Sequence, residues 1–171
     1  MQSKKLKVQL NSASINQAIE QLRQYRDSIE AKQERLMDVL GAYGYEIMVK
    51  KIDSYQMPFS KNDLISNAGY EAGKKSVTIY NLSDHALFVE FGTGIVGAES
   101  PHPHDTIGYN YDTNNHGNDG WYYLTDDGWF WTKGMPSRPF AHETYVELRQ
   151  ELLTIAREVF QQWLIEKMKY S

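Results

Sequence analysis

The sequence predicts an α+β domain: a small antiparallel β-sheet packed against a long N-terminal helix and a C-terminal helix, with a long polar loop. Three observations carry this reading. Apolar residues recur at helical spacing near both ends, short alternating runs fill the middle, and glycine, proline and aspartate punctuate the runs. The resulting order, strand, long helix, two strands, loop, two strands, helix, places helices on one small sheet. At 171 residues, 41% apolar and 13% aromatic, the chain is about one domain with a real core, and residues 1–171 read as a single unit.

The elements follow in order. KLKVQL alternates Leu6, Val8 and Leu10 with polar residues, the period of a half-buried strand. Asn11, Ser12 and Ser14 then offer helix N-caps. Behind them Ile15, Ala18, Ile19, Leu22, Ile29, Leu36, Leu40 and Ile47 keep one helical face apolar. One long helix, or two nearly collinear ones, is expected to end near Asp53, weakened at Gly41 and Gly44, its stripe packed on a sheet rather than in a coiled coil. MPFSKNDLISNAGYEAG reads as loop with a helical turn. KSVTIYNL sets Val77, Ile79 and Asn81 against Thr78, Tyr80 and Leu82, and HALFVEF is expected to be the next strand.

The polar stretch 92–120 is long for a structureless connection, which predicts a functional loop, mobile until a partner orders it. WYYLTDDGWFWT reads as a hairpin turning at Asp127-Gly128, one face on the core and the other covered by the loop or a partner. KGMPSRPF leads into the last helix, with Ser137 as cap and Pro139 in its first turn. Its stripe is Phe140, Val146, Leu148, Leu152, Ile155, Ala156, Val159, Phe160, Trp163 and Leu164.

Composition narrows the chemistry. The chain has no cysteine, which removes disulfides, thiolate nucleophiles and Cys-based zinc sites. No run approaches the roughly 18 apolar residues of a membrane span, and no apolar region behind the N-terminal lysines suggests a secretory leader. From Ser76 to Thr132 there are eight acids and no Lys or Arg, a surface that repels a phosphate backbone and argues against direct nucleic-acid binding. The residues up to Lys51 carry nine Lys/Arg against six acids and read as a solvated helix face.

Two motifs resemble chemistry. Gly92, Gly94 and Gly97 are spaced like a dinucleotide fingerprint, but that fingerprint needs a helix N-terminus for its pyrophosphate. Pro101, Pro103 and Glu99 oppose both helix and anion, so no cofactor is expected. His102, His104, Asp105 and His116 are close enough in sequence to suggest a divalent metal and, as the alternative reading, a metal-dependent hydrolase. They lie in a loop without visible rigid support, so no resident metal is assigned. No nucleophile elbow or ordered Ser-His-acid set is present, Asp126-Asp127 has a turn explanation, and no catalytic residue is assigned.

ALFVEFGTGIVG, PHP, GYNYDTNNHGNDGWYY and W-x-W-T-K-G-M-P-S-R-PF together resemble the small tail-component (neck) proteins of long-tailed bacteriophages, the tail-completion or minor capsid proteins. VEFGTG and GMPSRPF are the most specific pieces. The resemblance spans essentially the whole chain, residues 1–75 in pattern more than in motif, and is to the form found in phages of Gram-positive hosts. It implies a non-enzymatic virion protein that completes the tail or joins it to the head as a homo-oligomeric ring. Its partners would be other neck and tail proteins, and its place the virion, or the host cytoplasm during assembly. The family's shared positions fall on Val89, Glu90, Phe91, Gly92, Thr93, Gly94, Arg138, Pro139 and Phe140, read as structural. Phe91 and Phe140 are expected in the core, and Glu90 is expected to pair with Arg138. Tyr109, Tyr111, Trp121, Tyr122 and Trp129 are the candidate interface aromatics, as aromatics favour interface centres.

Overall fold

The computed structural model describes residues 11–57, 61–104, 108–112, 115–125 and 128–169. The expected strand at Leu6–Leu10, Asp105, Asp126 and Asp127, and the side chains of Trp163 and Leu164 lie outside the described residues. The class is α+β as expected, its strands forming two small antiparallel sheets.

Helix α1, Ser12–Ser54, is a single continuous helix. Asn11 caps it: the Oδ1 atom accepts from the Ser14 backbone N–H at 2.8 Å, satisfying one of the orphan donors of the first turn. Gly41 and Gly44 do not break it. A Cβ on Gly41 would overlap the Tyr70 ring, and one on Gly44 would overlap Ile79 Cδ1. The two glycines, three apart on one face, form the seat of the first β-hairpin.

That hairpin is β1, Ala68–Ala72, paired with β2, Val77–Asn81, in the register Tyr70↔Ile79. Val77 and Ile79 point at α1, as their alternation predicts. Strand β1 corrects the loop expected there. The segment 73–76 closes the turn by a Gly73 N–H to Ser76 C=O bond of 2.8 Å; of the glycines that suggested a loop, Gly69 lies within β1 opposite Tyr80 and Gly73 follows it. Before it, α2, Lys61–Ser66, buries Leu64 completely.

HALFVEF is a second correction. Residues Ala86–Phe91 form a helix, α3. The Ser83 carbonyl and side-chain oxygen accept from Ala86 N and His85 N, starting the turn. Ala86, Val89 and Glu90 are buried while Leu87 and Phe88 are exposed, which is helical spacing rather than alternation. A second short helix, α4, Gly94–Glu99, follows directly. The described parts of the 92–120 stretch are therefore tied to the chain in cis.

The second hairpin pairs β3, Trp121–Thr125, with β4, Gly128–Thr132, as expected, but Gly128, expected in the turn, is the first residue of β4, opposite Thr125. A two-residue strand β5, Gly134–Met135, bridges back to Thr93 and Gly94. Helix α5, Phe140–Lys169, runs antiparallel along α1, with Lys51 paired to Glu147 at 2.9 Å near one end and Leu40 packed with Ile155 and Val159 further along. Met48, Ile52, Leu64, Ala86, Val89 and Phe140 form the main core cluster. Phe140 is a core anchor as expected, at 2% exposure.

The covered part of α1 ends early. Leu40, Ile47, Met48 and Ile52 are buried, but Ile15, Ile19, Leu22, Tyr25 and Ile29 are exposed. The expectation that the whole stripe packs on a sheet is corrected: the buried residues of α1 run from Lys32 to Ile52, where the β1–β2 hairpin, α2 and α5 pack, and the stripe before them is exposed. No helix among the described residues is long and apolar enough to cross a membrane.

Candidate functional site

The family-like residues converge where α3, α4 and the start of α5 meet. Glu90 is the centre. Its side chain is 8% exposed, and both oxygens are committed. Oε2 accepts from the Ala141 backbone N–H at 2.8 Å and Oε1 from that of His142 at 2.9 Å. His102 Nε2 stands 3.0 Å from Oε1. The His104 backbone N–H donates to His102 Nδ1 at 3.1 Å, which places the His102 proton on Nε2, facing the carboxylate.

Glu90 therefore caps α5 from another element. A carboxylate at a helix N-terminus receives charge-assisted bonds and opposes the helix dipole. This corrects two expectations. Ser137 is not the side-chain cap: its Oγ donates to the Glu90 carbonyl at 2.6 Å. Nor does Arg138 pair with Glu90; its backbone N–H donates to Val89 at 2.8 Å and its guanidinium to the Gln56 carbonyl at 3.2 Å. Burial lowers the Arg138 pKa, and the guanidinium has turned to a carbonyl instead of a charge. Pro139, just before the helix, accepts from Glu143 N.

The glycine run has a backbone purpose. Gly92 and Gly94 have φ of 83° and 60°, which side chains with Cβ adopt at a cost. The run does enter a helix, against the expectation from its prolines, but only the six residues of α4. The amides a phosphate would need are already used. Gly94 N–H donates to the Tyr111 carbonyl at 2.6 Å, and Val96 N–H to the Lys133 carbonyl at 3.4 Å. Thr93 Oγ1 accepts from Met135 N. Gly97 sits so close to Gly92 that a Cβ would lie 2.8 Å from its carbonyl carbon.

The histidines do not form the set their spacing suggested. His102 is buried on Glu90, and His104 stacks on His142 with centroids 5.8 Å apart. His116 is elsewhere, 3.2 Å from Asp112 and stacked on Trp121 at 4.5 Å. Asp112 is held below its ordinary range, chiefly by backbone N–H bonds from His116 and Gly117. Among the described residues no group of three His, Asp or Glu is arranged to hold a metal ion.

Asp63, Ser83 and His85 form a constellation that the sequence did not suggest. Asp63 Oδ2 accepts from Ser83 Oγ and lies 3.6 Å from His85 Nδ1. The acid sits between serine and histidine, whereas nucleophile activation needs the histidine in the middle. The trio fastens α2 to the start of α3. Tyr55, also unforeseen, has its Oη buried without a hydrogen-bond partner. Burial, then Glu143 and Glu90, push its phenol well above the ordinary range.

The candidate interface aromatics divide. Tyr109 donates to the Gly92 carbonyl at 3.0 Å and packs on Phe91, whose ring also meets His102, each with centroids 4.8 Å apart. Phe91 is thus half-buried under the loop, not a core anchor. Tyr111 meets Tyr109 edge-on, and Trp121 lies over Gly94 and His116. These three are local packing. Tyr122 and Trp129 are 66% and 68% exposed. Register sets Tyr122 opposite Trp131 and Leu124 opposite Trp129, so all four share one face of the hairpin. Leu124 and Trp131 are also exposed. The opposite face, with Trp121, leans on the loop rather than on the core, which corrects the expected packing.

Comparison of the chain with protein-family models, with curated proteins and with solved structures gives no match. The site is therefore argued from its own geometry. The buried Glu90 carboxylate, holding Ala141, His142 and His102 together, organises structure, and Tyr122, Leu124, Trp129 and Trp131 form the exposed apolar face of the second hairpin.

Proposed function

We propose that this chain is a virion structural protein of the head–tail neck or tail terminus of a long-tailed bacteriophage. It completes the tail or joins it to the head through protein–protein contacts, as a homo-oligomeric ring, without catalysis. One observation carries the reading: Tyr122, Leu124, Trp129 and Trp131 form a contiguous, solvent-facing apolar face. A two-stranded hairpin of this kind is marginal alone, and large exposed apolar patches mark partner surfaces. The motif resemblance at VEFGTG and GMPSRPF supplies the kind of partner, and β5 ties the chain just after the hairpin to Thr93 and Gly94.

The test is electron microscopy of particles made without the chain. Full heads and separate tails that fail to join, or tails of abnormal length, are expected. Normal infectious virions would refute the assembly role.

A further inference from the structure

Residues 76–132 contain no Lys or Arg, so histidine is the side chain that can bring a positive charge into this segment. One of its histidines is seated where that charge would be held from two sides. His116 Nδ1 stands 3.2 Å from Asp112 Oδ1, and its ring stacks on Trp121 with centroids 4.5 Å apart and an interplanar angle of 20°. A carboxylate only accepts, so Nδ1 carries the proton of the neutral ring, and a second proton enters at Nε2 without breaking that bond. The His116 and Asp112 side chains are 29% and 26% exposed, withdrawn enough from water for screening to be incomplete.

The backbone around this pair is gathered on Asp112. Its carboxylate accepts from the His116 N–H at 2.8 Å and the Gly117 N–H at 2.7 Å, and its C=O accepts from Asn115 N at 3.3 Å. Gly117 has a φ of 64°, the left-handed conformation that glycine adopts without strain. The two backbone donors hold the Asp112 carboxyl below its ordinary range, so it keeps its charge while imidazoles titrate. On the other side of the imidazole, Trp121 covers Gly94: a Cβ there would lie 2.9 Å from the indole. His116 therefore stands between the loop at Asp112 and the inward face of the second hairpin.

We infer that His116 is a proton-set clasp: its imidazolium, held by Asp112 and by the face of Trp121, fastens the loop at Asp112 to the hairpin, and the neutral ring holds it more weakly. Asp112 supplies an opposite charge, and an aromatic face attracts a cation through its quadrupole. The acids of the neighbouring elements agree in sign. Asp119 lies on the 3-10 turn Gly117–Asp119, and Glu99 on α4, which packs against that turn. Strands β3 and β4 add only the phenols of Tyr122 and Tyr123, and residues 108–112 those of Tyr109 and Tyr111. Lys133, just after β4, lies over Trp131 at 5.7 Å, and Trp131 pairs with Tyr122 on the face opposite to Trp121. The charged ring is bound more tightly than the neutral one. The clasp is therefore closed below the imidazole range and relaxes as pH rises through it, between about pH 5 and 8. The inference concerns contacts within one chain and stands apart from the assembly reading.

The test is amide exchange of the full chain followed by NMR at about pH 5.5 and about pH 7.5, with each rate compared to the intrinsic rate at that pH. The Gly117 N–H, bonded to Asp112 Oδ2, is expected to be about three- to ten-fold better protected at the lower pH, the scale of a partly exposed ion pair with a cation–π contact. His116→Phe keeps an aromatic ring on Trp121 but takes no proton, and should abolish the difference. A second readout needs no variant: the Trp121 indole N–H resonance of the unaltered chain should shift across the same pH range. Equal protection at both pH values, a difference that survives in His116→Phe, better protection at the higher pH, or an indole resonance that stays in place would each overturn the clasp.

Discussion

Glu90 does at one residue what the sequence divides among several. Its two oxygens take the first N–H groups of α5 and the His102 proton, so α3, the 92–112 segment and α5 share one acceptor. Glutamine is nearly isosteric but turns one oxygen into a donor, which must then face another donor. Glu90→Gln is expected to lose about 2–3 kcal/mol of stability in chemical denaturation, the scale of hydrogen bonds to a charged group and of an orphaned buried partner. A change under about 0.5 kcal/mol, the range of ordinary surface substitutions, would show that the carboxylate is not the cap. Sequence reasoning singled out Glu90 but assigned it to Arg138, since an opposite charge is the obvious partner. The actual donors are backbone groups of Ala141 and His142, some fifty positions away, and no side-chain pattern advertises them.

At the scale of elements, α1 shows how packing can reverse a propensity. Glycine inside a helix costs about 1 kcal/mol against alanine, so Gly44→Ala would stabilise an isolated α1. In the fold the new methyl overlaps Ile79 Cδ1 and comes within 3.2 Å of Leu148 Cδ2. Overpacking of this kind costs about 1–3 kcal/mol, and after the propensity gain of about 1 kcal/mol Gly44→Ala is expected to destabilise by about 0–2 kcal/mol net. Ile79→Val removes the offending atom, so the double variant should recover much of the loss. A stabilised single variant in thermal unfolding would contradict the seat. The α3 segment teaches a related lesson. Its aromatic and β-branched residues read as strand, but the burial of Ala86, Val89 and Glu90 follows a helical turn. That spacing was present in the sequence, and a six-residue apolar run supports either period.

For the whole molecule, the division between covered and uncovered apolar surface decides behaviour. Phe140, Ile52 and Leu64 are fully buried, whereas Tyr122 and Trp129 are mostly in solvent. A Tyr122→Ser, Trp129→Ser variant is expected to keep its stability within about 1 kcal/mol, since it gives up only exposed cross-strand pairs. The same variant should fail to complement particles made without the chain. Loss of fold, followed by circular dichroism, or full complementation would each remove the hairpin face from the assembly role.

By itself the sequence determined the two long helices, a first-helix cap among Asn11, Ser12 and Ser14, both strands of the aromatic hairpin, β2 with its inward face, and the cation-free belt from Ser76 to Thr132. These are local properties: period, turn chemistry and charge are written in neighbouring residues. Only the tertiary structure decided that HALFVEF is a helix, that Glu90 caps α5, that Gly41 and Gly44 seat a hairpin, and that His116 stands apart from His102. It also decided which half of the α1 stripe is core and which face of the hairpin stays bare. Burial is a relation between elements distant in sequence, and the same apolar stripe reads alike whether the molecule covers it or leaves it for a partner.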